Sequence, residues 1–322
     1  MAAPLLTVAV IHHQWRGYPD RALGSITLPQ GVDAEFLLVT GEPRWMDRAP
    51  VVEIAGRCAR VVPVAEGDRA AAKNLALREA HGEFVILMSS EMIAAPGAVS
   101  ALLDFIGKRG PDAVASAVML NENGRMRRTA FSFPSLIGET NPAGWLWRRR
   151  HQFIWTAPPV RTQPLAVAAV RTQFLMARRE AFLRVGDFTS GYRFSVDDLE
   201  WCARARKAGI GRWIVPQAGA CNLAPQLHGE VPPDHRVAME DSLVRLTAAM
   251  RGPAYAGVFR SVRRAKTLVK WCAAAAWNRM SPAHSNLLTS AESVHRALWR
   301  APDAPPPLPP DAESHSRWEA SI

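Results

Sequence analysis

Apolar runs and amphipathic stretches alternate along the first part of the chain. Continuous apolar runs predict strands buried on both faces at residues 5–11, 34–39, 60–66, 84–88 and 112–120. Stretches with helical spacing lie between them, at residues 20–26, 68–82 and 96–110. This alternation is typical of an α/β domain with a mostly parallel sheet and helices on both faces.

The pattern weakens over residues 130–164, which are rich in Pro, Trp and Arg, and then resumes. A strand leads into a helix that begins near Arg179, a second helix covers 195–211, and a closing strand covers 212–223. The second helix begins with acidic residues and ends with basic ones, an order that complements the helix dipole.

The composition changes after residue 229. Residues 235–300 predict helices with many Arg and Lys residues on an apolar background, and the last 22 residues are rich in proline and polar residues. We therefore expect an α/β domain over residues 1–229, a basic helical region over 230–300 and a disordered tail over 301–322.

Polar residues follow two of the predicted strands. Thr40 ends the second strand, and Ser89, Ser90 and Glu91 end the strand at 84–88. Ligands of open α/β sheets bind beyond the carboxyl ends of the strands, so both positions are candidate binding residues. Glu91 could hold Mg²⁺ or Mn²⁺ against a diphosphate, or it could be a solvated turn residue, and the residues alone leave both open.

The start of the second helix carries Asp197, Asp198 and Glu200. A carboxylate held rigidly at a helix start in a cleft is suited to act as a general base. Acidic residues at this position also complement the helix dipole without any catalytic role. Both interpretations stay open at this point.

Composition and motifs narrow the function classes. The chain has 39 Lys and Arg against 29 Asp and Glu, a net charge of +10, which favours anionic partners such as phosphates, nucleic acid or acidic lipids. No GxSxG, Walker A or GxGxxG motif is present, and the four cysteines form no CxxC pair. No secretory signal or run of 18 apolar residues is present, so a cytoplasmic location is expected.

Three blocks carry a resemblance to a known family. "AKNLALREAHGEFVILMSSEM", "DAVASAVMLNENGRMRRTAFSFPSL" and "FLMARREAFLRVGDFTSGYRFSVDDLEWCARARKAGIGRWIVPQA" occur in this order between residues 72 and 218. In this order the chain resembles the family 2 glycosyltransferases with the GT-A fold, in particular the bacterial rhamnosyltransferase-like members. The resemblance extends from about residue 6 to residue 222, and more loosely to about 260.

The resemblance implies roles for particular residues. Asp198 would be the general base, with Asp197 as its acidic neighbour, and Glu91 would fall on the metal-binding acid of the DxD-type motif. The resemblance also implies donor contacts at Thr40, Asn74 and Ser89, which fall on the family's nucleotide-sugar site. Arg171 and Arg204 are less direct matches for residues that contact the diphosphate.

The chain departs from the family mainly on the donor side. Thr40 replaces an aspartate that helps to hold the nucleotide base, Ser89-Ser90-Glu91 replaces Asn-Pro-Asp or Asp-x-Asp, and Asn222 replaces a metal-binding histidine. Three accounts are open: a donor site with weak or no metal coordination, an unusual donor, or a transferase-like domain that no longer turns over. Arginines could stabilise the leaving group without a metal.

The resemblance implies inverting sugar transfer from a nucleotide-sugar donor to a lipid-linked or cell-envelope glycan acceptor. Basic helices near residues 260–270, and the Trp- and Arg-rich segment 145–155, would contact the inner face of the cytoplasmic membrane. A non-catalytic binding or scaffold protein that lost its metal site is the alternative. A nucleic-acid binder is a further alternative, although no nucleic-acid-binding motif is present.

Overall fold

The structure is a computed structural model of the chain. It describes residues 4–12, 17–46, 50–65, 69–121, 123–124, 126–127, 129–140, 163–192, 196–223 and 233–280. The predicted tail at 301–322 and the Trp- and Arg-rich segment at 145–155 lie outside the described residues.

Within these described residues, ten strands form one sheet. In chain order they are β1 (Leu6–His12), β2 (Ala34–Thr40), β3 (Val51–Ile54), β4 (Arg57–Pro63), β5 (Phe84–Ser89), β6 (Met92–Ala94), β7 (Ala113–Leu120), β8 (Leu165–Ala166), β9 (Phe174–Arg178) and β10 (Gly211–Asn222).

The described helices are α1 (Pro19–Gly24), α2 (Pro43–Met46), α3 (Arg69–Glu79), α4 (Ala98–Arg109), α5 (Leu136–Thr140), α6 (Arg179–Val185), α7 (Val196–Lys207), α8 (Pro233–Arg251) and α9 (Pro253–Met280). A short 3₁₀ helix, Gly110–Asp112, leads into β7.

The strand order is β3-β4-β2-β1-β5-β9-β7-β10-β6, and β8 pairs with β10. Among the described strands, β4, β2, β1, β5, β7 and β10 run in one direction, and the remaining strands run against them. The predicted α/β class with a mostly parallel sheet is confirmed. Antiparallel β9 between β5 and β7 is a feature that the hydrophobic pattern does not predict, because strand direction depends on non-local pairing.

Helices cover both faces of the sheet, as predicted. The side chains of β1 alternate between two apolar clusters: Val8 and Val10 belong to one, Ala9 and Ile11 to the other. The first cluster includes apolar residues of α1 and α4, and the second includes residues of α3, α6 and α7. Each face of the sheet is thereby buried, which explains why the strands are continuous apolar runs.

Two short strands, β3 and β6, are not predicted by the hydrophobic pattern. β3 forms an antiparallel hairpin with β4 through Ala55 and Gly56, both with positive φ angles of 51° and 73°. This left-handed pair matches the geometry of a tight hairpin turn. β6 follows directly after Glu91 and pairs with the end of β10, so the predicted Ser-rich turn is a narrow link between two strands.

The chain divides into two compact units. One holds the sheet, with the described residues up to 133, 163–190 and 197–223, and the other holds 134–140, 191–192, 196 and 233–280. In the second unit, Phe259 and Val244 pack with Leu136 in a small apolar core. Two segments that precede residue 229 thus group with the basic helices rather than with the α/β domain. Within the described residues, no helix is long and apolar enough to cross a bilayer.

Candidate active site

The carboxyl edge of the sheet brings distant parts of the chain together. β1, β2 and β5 end there, and antiparallel β9 begins there. The backbone N–H of Ser89 donates to the carbonyl of Gln173 at 2.9 Å. The residues after β5 and those before β9 therefore lie side by side at the edge where α/β sheets bind ligands.

A buried lysine bridges the two predicted catalytic acids. Lys73 Nζ donates to Asp197 Oδ2 and to Asp198 Oδ1, each at 2.5 Å. Thr172 Oγ1 donates to the same Asp198 oxygen at 2.6 Å. Lys73, Asp197 and Asp198 are each at most 2% exposed. We call these four residues the acid-pair cluster.

Three elements position the acid-pair cluster. Lys73 lies on the inner face of α3 among buried alanines, and both aspartates lie in the first turn of α7. Thr172 precedes β9 and is held at the sheet edge by that strand's antiparallel pairing. The α7 dipole adds further stabilisation to negative charge in its first turn. Lys73 Nζ also lies 4.7 Å from the centre of the Phe188 ring, a cation–π contact.

The two aspartates differ in proton affinity. Burial raises the pKa of Asp197 above its usual range, and the neighbouring Asp198 adds to this although Lys73 opposes it. Burial acts on Asp198 in the same sense, but Lys73 and the Thr172 hydroxyl outweigh it and hold the pKa of Asp198 below its usual range. Asp198 is therefore the carboxylate that stays ionised, and a buried ionised carboxylate can accept a proton.

Asn74 has a structural role in place of the predicted donor contact. Its Nδ2 donates to the carbonyl of Phe188 at 2.9 Å, and its Oδ1 accepts from the Phe188 N–H at 2.7 Å. Both ends of the amide are thus occupied by the backbone that follows α6. The prediction of a donor contact at Asn74 is corrected accordingly: this residue anchors the loop that carries Phe188 against Lys73.

The structure also corrects the predicted diphosphate contact at Arg204. Its guanidinium donates to both carboxylate oxygens of Glu200 and to the carbonyls of Val185 and Asp187. These bonds tie α7 to the end of α6, so the charge of Arg204 is committed to the fold. Arg171 is half-buried, and its guanidinium lies 4.3 Å from the centre of the Phe131 ring, a cation–π contact.

A second group of polar residues lies at the ends of β1, β2 and β5. His12 Nε2 lies 2.8 Å from Glu42 Oε2, and His12 Nδ1 lies 2.9 Å from Ser90 Oγ. Because a carboxylate only accepts, Nε2 carries the proton in the neutral ring and Nδ1 accepts from the Ser90 hydroxyl. We call His12, Glu42 and Ser90 the histidine network.

Burial of His12 sets the charge of this network. The side chain has no exposed surface, and this burial lowers the pKa of His12 despite the attraction of Glu42. His12 is the buried last residue of β1, whereas His13 lies outside the described residues.

The Ser90 hydroxyl is enclosed from the other side by Gly17. A β-carbon at Gly17, whose φ is 128°, would lie 2.3 Å from Ser90 Oγ. The Tyr18 N–H donates to the Ser90 carbonyl at 2.9 Å, and the Ser90 N–H donates to Ile11 at 3.1 Å. Ser90 is therefore packed into the sheet edge rather than presented to a ligand.

Glu91 and Thr40 are the remaining predicted donor-side residues, and their contacts do not form a metal site. Glu91 is buried, and its N–H donates weakly to Ser89 Oγ at 3.5 Å. Thr40 is fully buried, with its hydroxyl accepting from the Glu42 N–H at 3.0 Å. Within the described residues, no three His, Cys, Asp or Glu side chains group closely enough to hold a metal ion. A single carboxylate beside an inward-turned serine does not fit a protein-built cation site.

Sequence reasoning missed four of the residues that build this edge: His12 as a network member, Glu42, Lys73 and Thr172. Lys73 had a detectable signal, because a lysine on the alanine-lined face of an amphipathic helix must find a buried anion. Thr172 and Glu42 had none, since both act through contacts between segments that are far apart in sequence.

Comparison with known proteins gives sequence relatives. No protein-family model matches the chain. It is similar to two curated Mycobacterium tuberculosis proteins named N-acetylglucosaminyl-diphospho-decaprenol L-rhamnosyltransferase, with 29% identity over 167 residues. These residues are 50% of this chain and 53% of each relative, so the match spans about half the length of the relatives.

Solved structures give the fold. The mannosyltransferase PcManGT from Pyrobaculum calidifontis, in complex with GDP-Man and Mn²⁺, matches with a TM-score of 0.51 and 16% identity, over 93% of this chain and 88% of that chain. GalNAc-T7 with UDP, GalNAc and Mn²⁺ matches with a TM-score of 0.53 and 12% identity, over 76% of this chain and 48% of that chain. The chain has the GT-A fold of these glycosyltransferases, and its resemblance to bacterial rhamnosyltransferases is confirmed.

Proposed function

We propose that the chain is an inverting glycosyltransferase that moves a sugar from a nucleotide-sugar donor to a lipid-linked acceptor. The observation that carries this proposal is the acid-pair cluster at the carboxyl edge of a GT-A sheet. Asp198, the residue that the motif assigns as base, is held ionised in a buried position by Lys73 and Thr172. A buried carboxylate that is held ionised in this way is suited to accept a proton, which favours a transferase over a scaffold protein.

In the proposed reaction, Asp198 takes the proton of the acceptor hydroxyl as that oxygen attacks the anomeric carbon. The bond between the anomeric carbon and the diphosphate oxygen breaks, and the nucleoside diphosphate leaves with the electron pair. Lys73 and Thr172 both bond Oδ1, so we assign Oδ2 to the proton transfer. Burial of the base limits access by water, which favours transfer to a bound acceptor over hydrolysis of the donor.

On the donor side, we assign the charge of the leaving diphosphate to Arg171 and derive no step through a metal. Arg171 lies two residues before Gln173, whose carbonyl accepts from Ser89 at the end of β5. Its guanidinium can bond two phosphate oxygens at once. Thr40 and Ser89 lie at the same edge, and we propose them as neighbours of the donor. A cation at Glu91 is not part of this proposal, and the comparison of Mn²⁺ with EDTA in the experiment below tests whether one contributes.

The names of the similar proteins support the substrate classes. The curated relatives are named for a diphospho-decaprenol acceptor, and the two solved structures were obtained with UDP or GDP-Man. We therefore propose a polyprenyl-diphosphate-linked glycan as acceptor, used at the inner face of the cytoplasmic membrane. Nucleic acid is not expected as a partner.

Calorimetry of the full chain with UDP-, GDP- and dTDP-sugars, each with Mn²⁺ and with EDTA, tests the proposal. Binding of one nucleotide class, together with sugar transfer to a polyprenyl-diphosphate acceptor, is the expected result. Failure to bind any donor under either condition would favour the scaffold alternative. Tighter binding to DNA or RNA than to any donor, with a steep salt dependence, would favour the nucleic-acid alternative.

A further inference from the structure

Helix α9 has an unusual charge composition. Its 28 residues include six Lys and Arg residues and neither Asp nor Glu. A long helix of the second unit that carries only positive charge requires anions from elsewhere. Some are supplied within the unit, and those contacts fix which face of α9 points inward.

The inward face combines an apolar anchor with ion pairs. Phe259 is fully buried. Arg263 pairs with Glu240 and, at 2.7 Å, with Glu139, and Lys266 Nζ lies 2.5 Å from Glu139. These contacts with α8 and α5 hold α9 in one rotational orientation, so the opposite face is defined by the fold.

The outward face carries an exposed apolar stripe. Val258 is 52% exposed, Leu268 42% and Val269 67%, and Ala265 and Cys272 are also exposed. Positions 258, 265, 268, 269 and 272 fall within an arc of about 100° on a helix at 100° per residue, and Phe259 lies about 80–180° away from them. Three large aliphatic side chains on one side of the helix are costly to leave in water.

Cationic side chains border the stripe. Arg260 and Arg264 are four residues apart, so they lie one above the other along one edge of the outward face, with Trp271 in line with them. Both arginines are half-buried, so part of each side chain is exposed to solvent. An apolar stripe with a cationic edge matches the layered chemistry of an anionic bilayer surface, with acyl chains below and phosphates above.

We propose that the stripe formed by Val258, Leu268 and Val269, with the edge formed by Arg260 and Arg264, lies in the headgroup region of an anionic membrane. The helix lies on the surface rather than across it, since no described helix is apolar enough to span. Nucleic acid is a poorer match, because its backbone offers nothing for an aliphatic stripe. This contact does not depend on the transferase activity proposed above.

Flotation of the full chain with phosphatidylcholine vesicles, with and without about 30% phosphatidylglycerol, tests the proposal. The wild type should float with the anionic vesicles and stay unbound with pure phosphatidylcholine. Binding should weaken as salt is raised from 50 to 500 mM, because the charge contribution is screened while the apolar contribution is not.

Two sets of variants separate the apolar and charge contributions. Leu268→Asp with Val269→Asp should lower the vesicle partition coefficient at least tenfold, and Arg260→Gln with Arg264→Gln should lower it by about fivefold per arginine. Leu183→Asp is the matched control: Leu183 is exposed on α6 of the sheet unit, and its change should leave binding as in the wild type. Circular dichroism confirms folding of each variant.

Equal flotation of the wild type and the Leu268→Asp, Val269→Asp variant would overturn the proposal, as would absence of wild-type binding to both vesicle types. A further result would overturn the proposal: the wild type forms a dimer in sedimentation velocity, the double variant is a monomer, and neither binds vesicles. The stripe would then contact a second copy of the chain. Donor binding by calorimetry is measured in parallel, so that loss of membrane contact is distinguished from failure of the proposed transferase function.

Discussion

The acid-pair cluster and the histidine network are both buried at the same edge of the sheet, and they handle charge differently. The acid-pair cluster combines two carboxyl groups, whose pKa values are shifted in opposite directions, with one ammonium group. The histidine network keeps a neutral ring between a hydroxyl and a half-buried carboxylate. The first arrangement is electrostatically costly, whereas the second satisfies its polar groups at low cost.

This difference indicates which part of the edge is built for chemistry. A buried carboxyl pair whose two pKa values are shifted in opposite directions is expected where a proton must be accepted, because burial and neighbouring charges set the pKa of the base. A neutral network whose polar groups are hydrogen-bonded to one another is expected where its role is to hold the ends of three strands together. Ser90, which departs from the family motif, is thus bonded within the histidine network, whereas Asp198 is bonded by Lys73 and Thr172.

Replacement of Lys73 should have the largest effect on stability. Lys73→Met leaves two buried carboxylates without a cation, and we expect a loss of about 3–5 kcal/mol in the free energy of unfolding at pH 7.5. Lys108→Met, at an exposed lysine of α4, is the control and should change stability by no more than about 0.5 kcal/mol. Urea denaturation measures both.

The effect of Lys73→Met should depend on pH. In the wild type the pKa of Asp198 is lowered, so its contribution to stability is present above the usual aspartate range and is lost as pH falls. Without Lys73 both carboxyl groups protonate more readily, and the stability difference between variant and wild type should shrink between pH 7.5 and pH 4.5. A difference that stays constant would contradict the assigned charge state.

Removal of the Thr172 hydroxyl should have an intermediate effect. Thr172→Val keeps the shape and removes one hydrogen bond to an ionised, buried oxygen, which should cost about 1.5–3 kcal/mol. Thr247→Val is the control, because the buried Thr247 hydroxyl donates to the neutral carbonyl of Leu243 on its own helix. A Thr172→Val cost no larger than the control's would show that Thr172 does not support the charge of Asp198.

The histidine network should give the smallest effect, visible as a pH slope. Because burial lowers the pKa of His12 below its ordinary 6.5, the unfolded chain takes up the proton first and wild-type stability falls as pH drops below 6.5. The slope should be at most about 1.4 kcal/mol per pH unit. His12→Gln should remove this part of the slope. Glu42→Gln removes an attraction that raises the pKa of His12, so the loss of stability should continue to lower pH than in the wild type. An unchanged pH dependence of stability in both variants would contradict a neutral His12.

Much of the fold follows from local pattern. Helix α7 could be predicted from its charge order and terminal glycine, and β1, β2, β5 and β7 from their apolar runs. The antiparallel insertion of β9 could not, because nothing in the residues Phe174–Arg178 distinguishes a reversed central strand from a parallel one. That insertion places Thr172 and Arg171 at the carboxyl edge, so the contact of Thr172 with Asp198 could not be predicted, whereas Arg171 was identified through the family resemblance.

The candidate site divides in the same way. The acids were predicted by a motif and a helix start, which are local features. Lys73 and His12 each reach a partner more than 25 residues away in sequence, and their roles follow from the packing of α3 on α7 and of β1 between β2 and β5. The predicted donor contacts at Asn74 and Arg204 failed because a motif position does not specify which backbone groups compete for the side chain.

The transfer rate of Asp198→Asn is the most direct test of the central claim. The substitution leaves Lys73 paired with Asp197, so the fold should be retained, and donor binding by calorimetry should match the wild type. Asp187→Asn, at an exposed carboxylate paired with Arg78, is the control. We predict that Asp198→Asn lowers the rate by about 10²–10⁴-fold while Asp187→Asn leaves it unchanged. A folded, donor-binding Asp198→Asn variant with the wild-type rate would contradict the assignment of Asp198 as the base.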